Sequence, residues 1–482
     1  MAKQKSLKVN FIMNAILTMS SFIFPLITFP YVSRILMPDG MGKVNFAISV
    51  INYFSMFAQL GIPTYGIRAC AQVRDNRVKL TRTVHELLFI NLIMTIISYI
   101  GLFIAVLFVP KLHSEKTLYV ITSFTIFLTT IGIEWMYKAL EQYTYITIRS
   151  IVFKFIGLVS MFMLVHAKSD YLIYAAINVF SGAGSSVLNI LNAHKYIGLK
   201  PIGKYNVKKH LKPVLIFFSM SIATTIYTNL DTIMLGFMKS DADVGYYTAA
   251  VKIKNILVSI VTSLGAVLLP RASYYIEQGD LDQFKDLSKK AMNFVFLIAI
   301  PLMVYFTLFA KQGIIFLSGK SFIDATIPMQ LIMPTLLFIG VTNIMGIQIL
   351  VPLGYERIVL ISTIAGGIVD LIVNWILIPS LASSGASIGT LAAEFVVLVV
   401  QYFVAIRKVP GLFREIKYYK IFIAVVASSL ISIWTLELGF GVFITLVVSA
   451  ILFFAVYGLI LLILKEQLIT EIFYQFINKI KK

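Results

Sequence analysis

Long apolar runs separated by short polar turns recur from one end of the chain to the other. Most are near the ~20 helical residues needed to cross ~30 Å of hydrocarbon. The pattern predicts about fourteen membrane-spanning helices, at 10–32, 44–62, 84–109, 117–137, 149–166, 171–192, 213–237, 245–269, 290–309, 326–350, 358–379, 385–406, 418–437 and 440–463. The connections are short and leave no room for a sizeable soluble domain. Lys3, Lys5 and Lys8 precede the first run, as in a signal peptide. That run is long and lacks an Ala-x-Ala-like cleavage site, so it predicts a retained first helix. Pro25, Pro30, Pro301, Pro328 and Pro334 are placed to kink their helices. The stretch IEWMYKALEQYTYITIR (133–149) alternates polar and apolar residues with helical spacing and predicts an interfacial helical corner.

Composition agrees. Of 482 residues 59% are hydrophobic and 13% charged, against about 25% charged in soluble domains, and the mean hydropathy is +0.89. The expected fold class is an all-α polytopic membrane protein. An even number of spans puts both ends on one side. With that side cytoplasmic, inner segments and inner helix ends hold 31 of the 41 Lys+Arg and outer ones hold 8, while Lys252 and Lys254 fall inside a span. This asymmetry predicts cytoplasmic termini. It accounts for most of the net charge of +19 through topology and attraction to anionic membrane lipids, with no need for a nucleic-acid partner. The single Cys70 excludes an internal disulfide. His85, His113, His166, His194 and His210 show no ligand spacing, so no metal site or cofactor is expected. No cluster of catalytic groups stands out either, and an enzyme is not expected.

The chain also repeats itself. SRILMPDGMGKVNFAISVIN (33–52) parallels IMLGFMKSDADVGYYTAAVKIKN (233–255). Gly42 then aligns with Gly245 and Asn52 with Asn255, an offset of 203. Helices 1 and 7 both start inside, which predicts a parallel repeat: an N-terminal lobe at 1–203, a C-terminal lobe at 204–410, and two added helices with a basic tail at 411–482. Transporters place substrates between such halves. SGAGSS (181–186) and SSGASIG (383–389) predict close helix packing.

Several segments resemble the polysaccharide or lipid-linked oligosaccharide flippases (Wzx-like) of the MOP exporter superfamily, which also holds the MATE exporters. They are PLITFPYVSRILMPDGMGKVNFA (25–47), LGIPTYGIRACAQVRD (60–75), IEWMYKALEQYTYITIRSIVFK (133–154), NLDTIMLGFMKSDADVGYYTAAVKI (229–253), LLPRASYY (268–275) and NWILIPSLASSGASIGTLAAE (374–394). Ala69-Cys70 stands where that family often has an acidic or amide residue. The resemblance implies a MATE-like arrangement of two six-helix lobes around a cavity and alternating access. It implies flipping of an undecaprenyl-pyrophosphate-linked oligosaccharide across a bacterial plasma membrane for capsule or other surface polysaccharide. Glycosyltransferases and a polysaccharide polymerase would be its partners. A teichoic-acid precursor and, further off, a cationic drug are the alternative cargoes.

Polar residues inside apolar runs are the candidate machinery, because a charge at membrane depth is costly unless it is used or paired. Arg34, Arg149, Lys154, Lys252, Lys254 and Arg271, with Asn229, form the expected substrate-binding set, since Arg and Lys bind phosphate oxygens. For Arg149 and Arg271 the inner-side charge bias is the plain alternative. Arg149 and Lys154 are five residues apart, so they do not share one helix face. Asp231 and Lys252 lie about 9–10 Å below the outer edge of their helices and are expected to pair. Asp370 and Glu394, each about 14 Å deep, with Asn374 one turn from Asp370, form the expected H⁺- or Na⁺-coupling group together with Asp231.

Overall fold

The computed structural model describes residues 7–471, and no strand occurs among them. Helices satisfy every backbone donor and acceptor within one segment, which lipid demands. The chain divides into two compact units, Met1–Gly245 and Tyr246–Lys482. The first holds α1 (Leu7–Gln59), α2 (Ile62–Ala71), α3 (Arg77–Phe108), α4 (Pro110–Ser114), α5 (Lys116–Ile131), α6 (Glu134–Ala139), α7 (Tyr143–Leu164), α8 (Tyr171–Val179), α9 (Ser186–Ala193) and α10 (Lys208–Met238). The boundary falls in the first turns of α11 (Asp241–Glu277), 42 residues beyond the expected 203. The second unit continues with α12 (Leu281–Leu308), α13 (Ala310–Ser318), α14 (Thr326–Ile332), α15 (Thr335–Thr342), α16 (Glu356–Lys408), α17 (Tyr418–Ile433) and α18 (Val442–Ile463).

Among the described residues, 11 helical segments are long and apolar enough to cross a membrane. They become 12 when the pair Lys320–Ile332 and Thr335–Leu350, bent by 45°, is one span. The bend falls at Met333 and Pro334, where proline removes a backbone donor. Pro25 and Pro30 lie inside the first half of α1 and Pro301 inside α12, with helical backbone on both sides of each. The count differs from fourteen because two expected turns are single-residue breaks. The 53-residue helices α1 and α16 each hold one non-helical residue, Met37 (φ 60°) and Ala382 (φ 48°). A straight helix of that length would run about 80 Å, far beyond one bilayer core of ~30 Å. In α16 the chain folds back at Ala382: a Cβ on Gly389 would stand 2.1 Å from Asn374 Oδ1, and one on Gly385 2.6 Å from the Leu377 carbonyl. Glycine here permits close packing, as the SSGASIG stretch predicts.

Cross-helix hydrogen bonds give the register of the first unit. Thr147 bonds the Met13 carbonyl, Lys154 bonds Ser20 and Ser21, and Tyr31 bonds the Val165 carbonyl. The numbers rise together, so α7 runs parallel to the first half of α1. Asn91 bonds the Ala58 carbonyl and Ser98 the Phe54 carbonyl, so α3 runs antiparallel to the second half. This is the up-and-down alternation that short connections enforce. In the second unit Tyr305 bonds Ser449 and Tyr457 bonds the Leu297 carbonyl, setting α12 antiparallel to α18.

The first core gathers Leu60, Ile62, Val84, Leu87, Trp135, Met136, Tyr137 and Val214. The 133–149 stretch does form a corner, with positive φ at Ile133 and Glu141. It is not an interfacial surface helix, however: Trp135, Met136 and Tyr137 are buried and α6 packs on α2. Gly66 allows this, since a Cβ there would meet the Trp135 ring at 2.7 Å. The second core centres on Val261, Phe284, Met292, Val295, Met345 and Tyr457.

The internal repeat has a direct structural expression. A Cβ on Gly42 would stand 1.6 Å from the Asp241 carbonyl oxygen, and one on Gly245 would stand 2.2 Å from the Pro38 carbonyl oxygen. Pro38 and Asp241 are themselves related by the 203-residue offset. The two contacts are therefore the same contact made twice, in opposite senses, as in a two-fold interface. Further along the same seam, Gly236 lies against the Phe46 ring and Asn52 Nδ2 donates to Asn229 Oδ1 at 3.1 Å.

Candidate functional site

In the first unit the expected cations separate by role. Arg149 is buried, its side chain 3% exposed, and donates to Glu134 Oε2 at 2.8 Å and to Ser185 Oγ at 2.5 Å. Glu134 also holds Lys138 at 2.9 Å. Arg149 thus fastens α7 to α6 and to the turn before α9, above the Tyr145 ring. The SGAGSS stretch supplies that turn: Phe180–Gly184 is one wide π-helical turn, and it presents Ser185 to the guanidinium. Lys154 points elsewhere. Half-buried, it donates to Ser20 Oγ at 2.8 Å and Ser21 Oγ at 2.9 Å on α1. Arg34 is exposed near the Met37 break and donates to the Pro30 carbonyl. Asp231 is buried on α10, and Asn229, half-buried, bonds Asn52.

The turns at 38–43 and 239–245 carry a polar pocket of about 200 Å³ lined by Lys43, Lys111, Glu115, Tyr119 and Asp241. Lys43 pairs with Glu115 at 2.9 Å and Lys111 with Asp241 at 2.9 Å. Tyr171 donates to Glu115 at 2.8 Å. The pocket adjoins the Gly42–Asp241 contact, so ion pairs and glycine packing secure the same turns.

In the second unit Asp370, Asn374 and Glu394 are all buried. Asn374 Nδ2 donates to Asp370 Oδ1 at 3.1 Å. Gly389 on the returning half of α16 packs on both, and its neighbour Thr390 bonds Tyr247 at 2.9 Å. A buried carboxylate and an amide thus meet one turn apart, oxygen donors of the kind that suit a hard cation or a proton. Among the described residues there is no group of three or more His, Cys, Asp or Glu arranged to hold a metal. On α11 Lys254 is buried and Lys252 half-buried. Arg271 is exposed, with Nε donating to Tyr275 Oη at 3.1 Å.

Sequence reasoning missed a buried network. Glu86, its side chain fully buried, accepts from Lys209 Nζ at 2.7 Å, from the Asn206 amide at 2.7 Å and bonds His210 Nε2 at 2.9 Å. Tyr65 bonds His210 Nδ1 at 2.8 Å. The signal was available: Glu86 and Glu134 are carboxylates inside the expected spans 84–109 and 117–137, and a charge inside an apolar run is the criterion that selected Asp231. Ser20, Ser21, Ser185 and Thr390 gave none, because lone hydroxyls are common in membrane helices.

The profile of the family described as "Polysaccharide biosynthesis protein" matches residues 7–275, more than half of the chain. The MatE profile matches residues 216–376. A protein of Escherichia coli K12 named "Putative O-antigen transporter" is 27% identical over 398 residues, covering 81% of this chain and 95% of that protein. A protein of the same name from Shigella dysenteriae is 23% identical, covering 81% and 98%. Among solved structures, "Lipid II flippase MurJ, inward closed conformation" superposes with a TM-score of 0.71 at 15% identity, covering 95% of this chain and 100% of that one. An "Inward-facing conformation of a multidrug resistance MATE family transporter of the MOP superfamily" gives 0.63 at 14% identity, covering 84% and 99%. A helical membrane fold shared with these transporters, an internal repeat and a profile match across its first half and beyond lead to one assignment: the chain is a multi-pass membrane protein with the MOP superfamily fold and belongs to the polysaccharide biosynthesis protein family.

Proposed function

We propose that this protein is a lipid-linked oligosaccharide flippase, a transporter and not an enzyme. Its cargo is an undecaprenyl-pyrophosphate-linked repeat unit, moved from the inner to the outer leaflet of a bacterial plasma membrane by alternating access. Both termini are cytoplasmic in this reading, and glycosyltransferases and a polymerase supply and consume the cargo. The names of the relatives support the class. The observation that carries the chemistry is Lys154. Among the described residues its hydrogen-bond partners are the hydroxyls of Ser20 and Ser21, and the carboxylate that acts on it through space, Glu134, is already paired with Arg149 and Lys138. A cation kept among apolar helices with neutral partners is costly unless an anion completes it, and a pyrophosphate does so. Arg34, exposed near the outer turn of α1, supplies a second cation with bidentate geometry. Asp370 and Asn374, with Thr390 beside them, are the group through which H⁺ or Na⁺ would drive the cycle, and Glu394 and Asp231 are further carboxylates for it.

The MatE match favours a second reading, export of cationic drugs. A cavity for such drugs needs acidic walls, whereas the candidate membrane-depth set here includes Arg34, Lys154, Lys252 and Lys254. The deciding experiment is transport of lipid-linked oligosaccharide by the purified protein in vesicles. Lys154→Gln and Arg34→Gln should each lower the rate while insertion stays normal, and Arg34→Lys should lie between wild type and Arg34→Gln. Full activity with both changed to Gln would remove the cationic mechanism. Absence of transport by the wild type, with drug export in its place, would remove the flippase reading.

A further inference from the structure

A groove at the basic end of the first unit lies apart from the groups used above. It has a volume of about 540 Å³, and its walls include His85, Phe89 and Leu92 of α3 and Leu199, Pro201 and Tyr205 of the segment between α9 and α10. We propose that it binds one anionic phospholipid, with an acyl chain between α3 and this segment and the phosphate at Arg82. The inference needs only the membrane location, not the transport reading.

Four observations carry it. First, apart from His85, Glu86 and Tyr205 the walls are apolar, and they are open: Phe89 is 55% exposed, Leu92 39% and Leu199 71%. Second, Arg82, His85, Phe89 and Leu92 follow one another at steps of three and four along one face of α3. The ten residue steps from Arg82 to Leu92 span about 15 Å, half of a ~30 Å hydrocarbon core and so one leaflet. Third, Arg82 Nε is buried and, among the described residues, has no hydrogen-bond partner. Its Nη2 faces the groove-forming segment, 3.4 Å from where a Cβ on Gly203 would stand. Fourth, the segment is fixed in place before any ligand arrives. The Gly198 amide donates to Thr81, the Ile202 amide to Tyr205, and the Asn206 amide to Glu86, while Tyr205 bonds His85 and Arg77 bonds the His194 carbonyl. A preformed groove spends little entropy on binding.

Cations at one end and hydrocarbon-compatible walls below match an anionic lipid of the inner leaflet. Lys200 and Lys204 add charge beside Arg82 in sequence position on the segment. Glu86 also lines the groove, with Lys209 and His210 on it. A carboxylate there disfavours a multiply charged pyrophosphate head and leaves a singly charged phosphodiester as the better fit.

The test uses the full chain in neutral detergent with dioctanoyl phosphatidylglycerol, dioctanoyl phosphatidylcholine and undecaprenyl phosphate, read by native mass spectrometry and by thermal melting. The wild type should retain phosphatidylglycerol about five-fold better than phosphatidylcholine. Arg82→Gln should abolish that preference and Arg82→Lys should keep most of it. Leu92→Trp, which fills the groove, should reduce retention of both phospholipids. Equal retention of the two phospholipids by the wild type would overturn the proposal, and that comparison stands even if a variant fails to fold. Preference unchanged in both Arg82→Gln and Leu92→Trp would place the lipid elsewhere. Displacement by equimolar undecaprenyl phosphate would give the groove to the carrier lipid instead.

Discussion

Adding one methyl group at Gly42 should separate the turn at 38–43 from the turn at 239–245. The Cβ of Gly42→Ala would begin 1.6 Å from the Asp241 carbonyl oxygen and 3.0 Å from the Gly245 nitrogen. Real Cβ contacts stay at or beyond 3.0 Å, so the turns must part by at least about 1.4 Å. At Gly245 the same reasoning from 2.2 Å to the Pro38 oxygen gives about 0.8 Å. The neighbour is backbone in both cases and cannot rotate away. Overpacking of this kind costs about 1–3 kcal/mol, which shifts a two-state equilibrium between touching and separated turns by roughly 5- to 150-fold. The Lys111–Asp241 pair, 2.9 Å apart, reports on the separation. Lys111→Cys with Asp241→Cys, in a Cys70→Ala background, should be joined efficiently by a short bis-thiol reagent. Gly42→Ala should reduce that yield more than Gly245→Ala does. Gly367→Ala is the control, since nothing lies within 4 Å of a Cβ there. Unchanged crosslinking in Gly42→Ala, or a larger effect at Gly245, would refute the close-approach argument.

Other expectations concern the buried pairs and the topology. Glu134→Ala should lower the melting temperature more than Arg149→Met, because it leaves a buried guanidinium with Ser185, whereas Arg149→Met leaves Glu134 with Lys138; the loss should be about 1–3 kcal/mol. Glu86→Gln should destabilise more than Tyr65→Phe in thermal melts, since Glu86 accepts charge-assisted bonds from Lys209 and a bond from Asn206 as well as contacting His210, while Tyr65 contributes one bond of about 1 kcal/mol. With cytoplasmic termini, an impermeant thiol reagent on intact cells should label Ser240→Cys and spare Lys204→Cys, both in a Cys70→Ala background; labelling of position 204 would invert the orientation.

What the sequence makes legible here follows from which interactions are local. Apolar periodicity and Lys/Arg asymmetry act residue by residue along the chain, so the helical membrane architecture could be read directly. The 203-residue offset was legible because Gly and Asp mark tight turns, and those turns then contact each other through the same positions, Pro38 with Gly245 and Asp241 with Gly42. The reversals inside α1 and α16 were legible as breaks between apolar runs, at 33–43 and 380–384, but each is a single non-helical residue, Met37 or Ala382, so continuous helix runs through both. The candidate site was legible only as a list of costly residues. Which partner a costly residue takes depends on helices far apart in sequence. Arg149 looked like a cavity cation or an inner-side anchor, yet Glu134, fifteen positions earlier on a corner opened by a left-handed Ile133, holds it in the core of the first unit. Lys154, one of the expected cavity cations and deeper in the apolar run than Arg149, is turned the other way by its helix, onto two serines. Two cations five residues apart on α7 thus divide between holding the fold and holding a charge in reserve. Under the proposed function that division directs mutagenesis to Lys154 before Arg149.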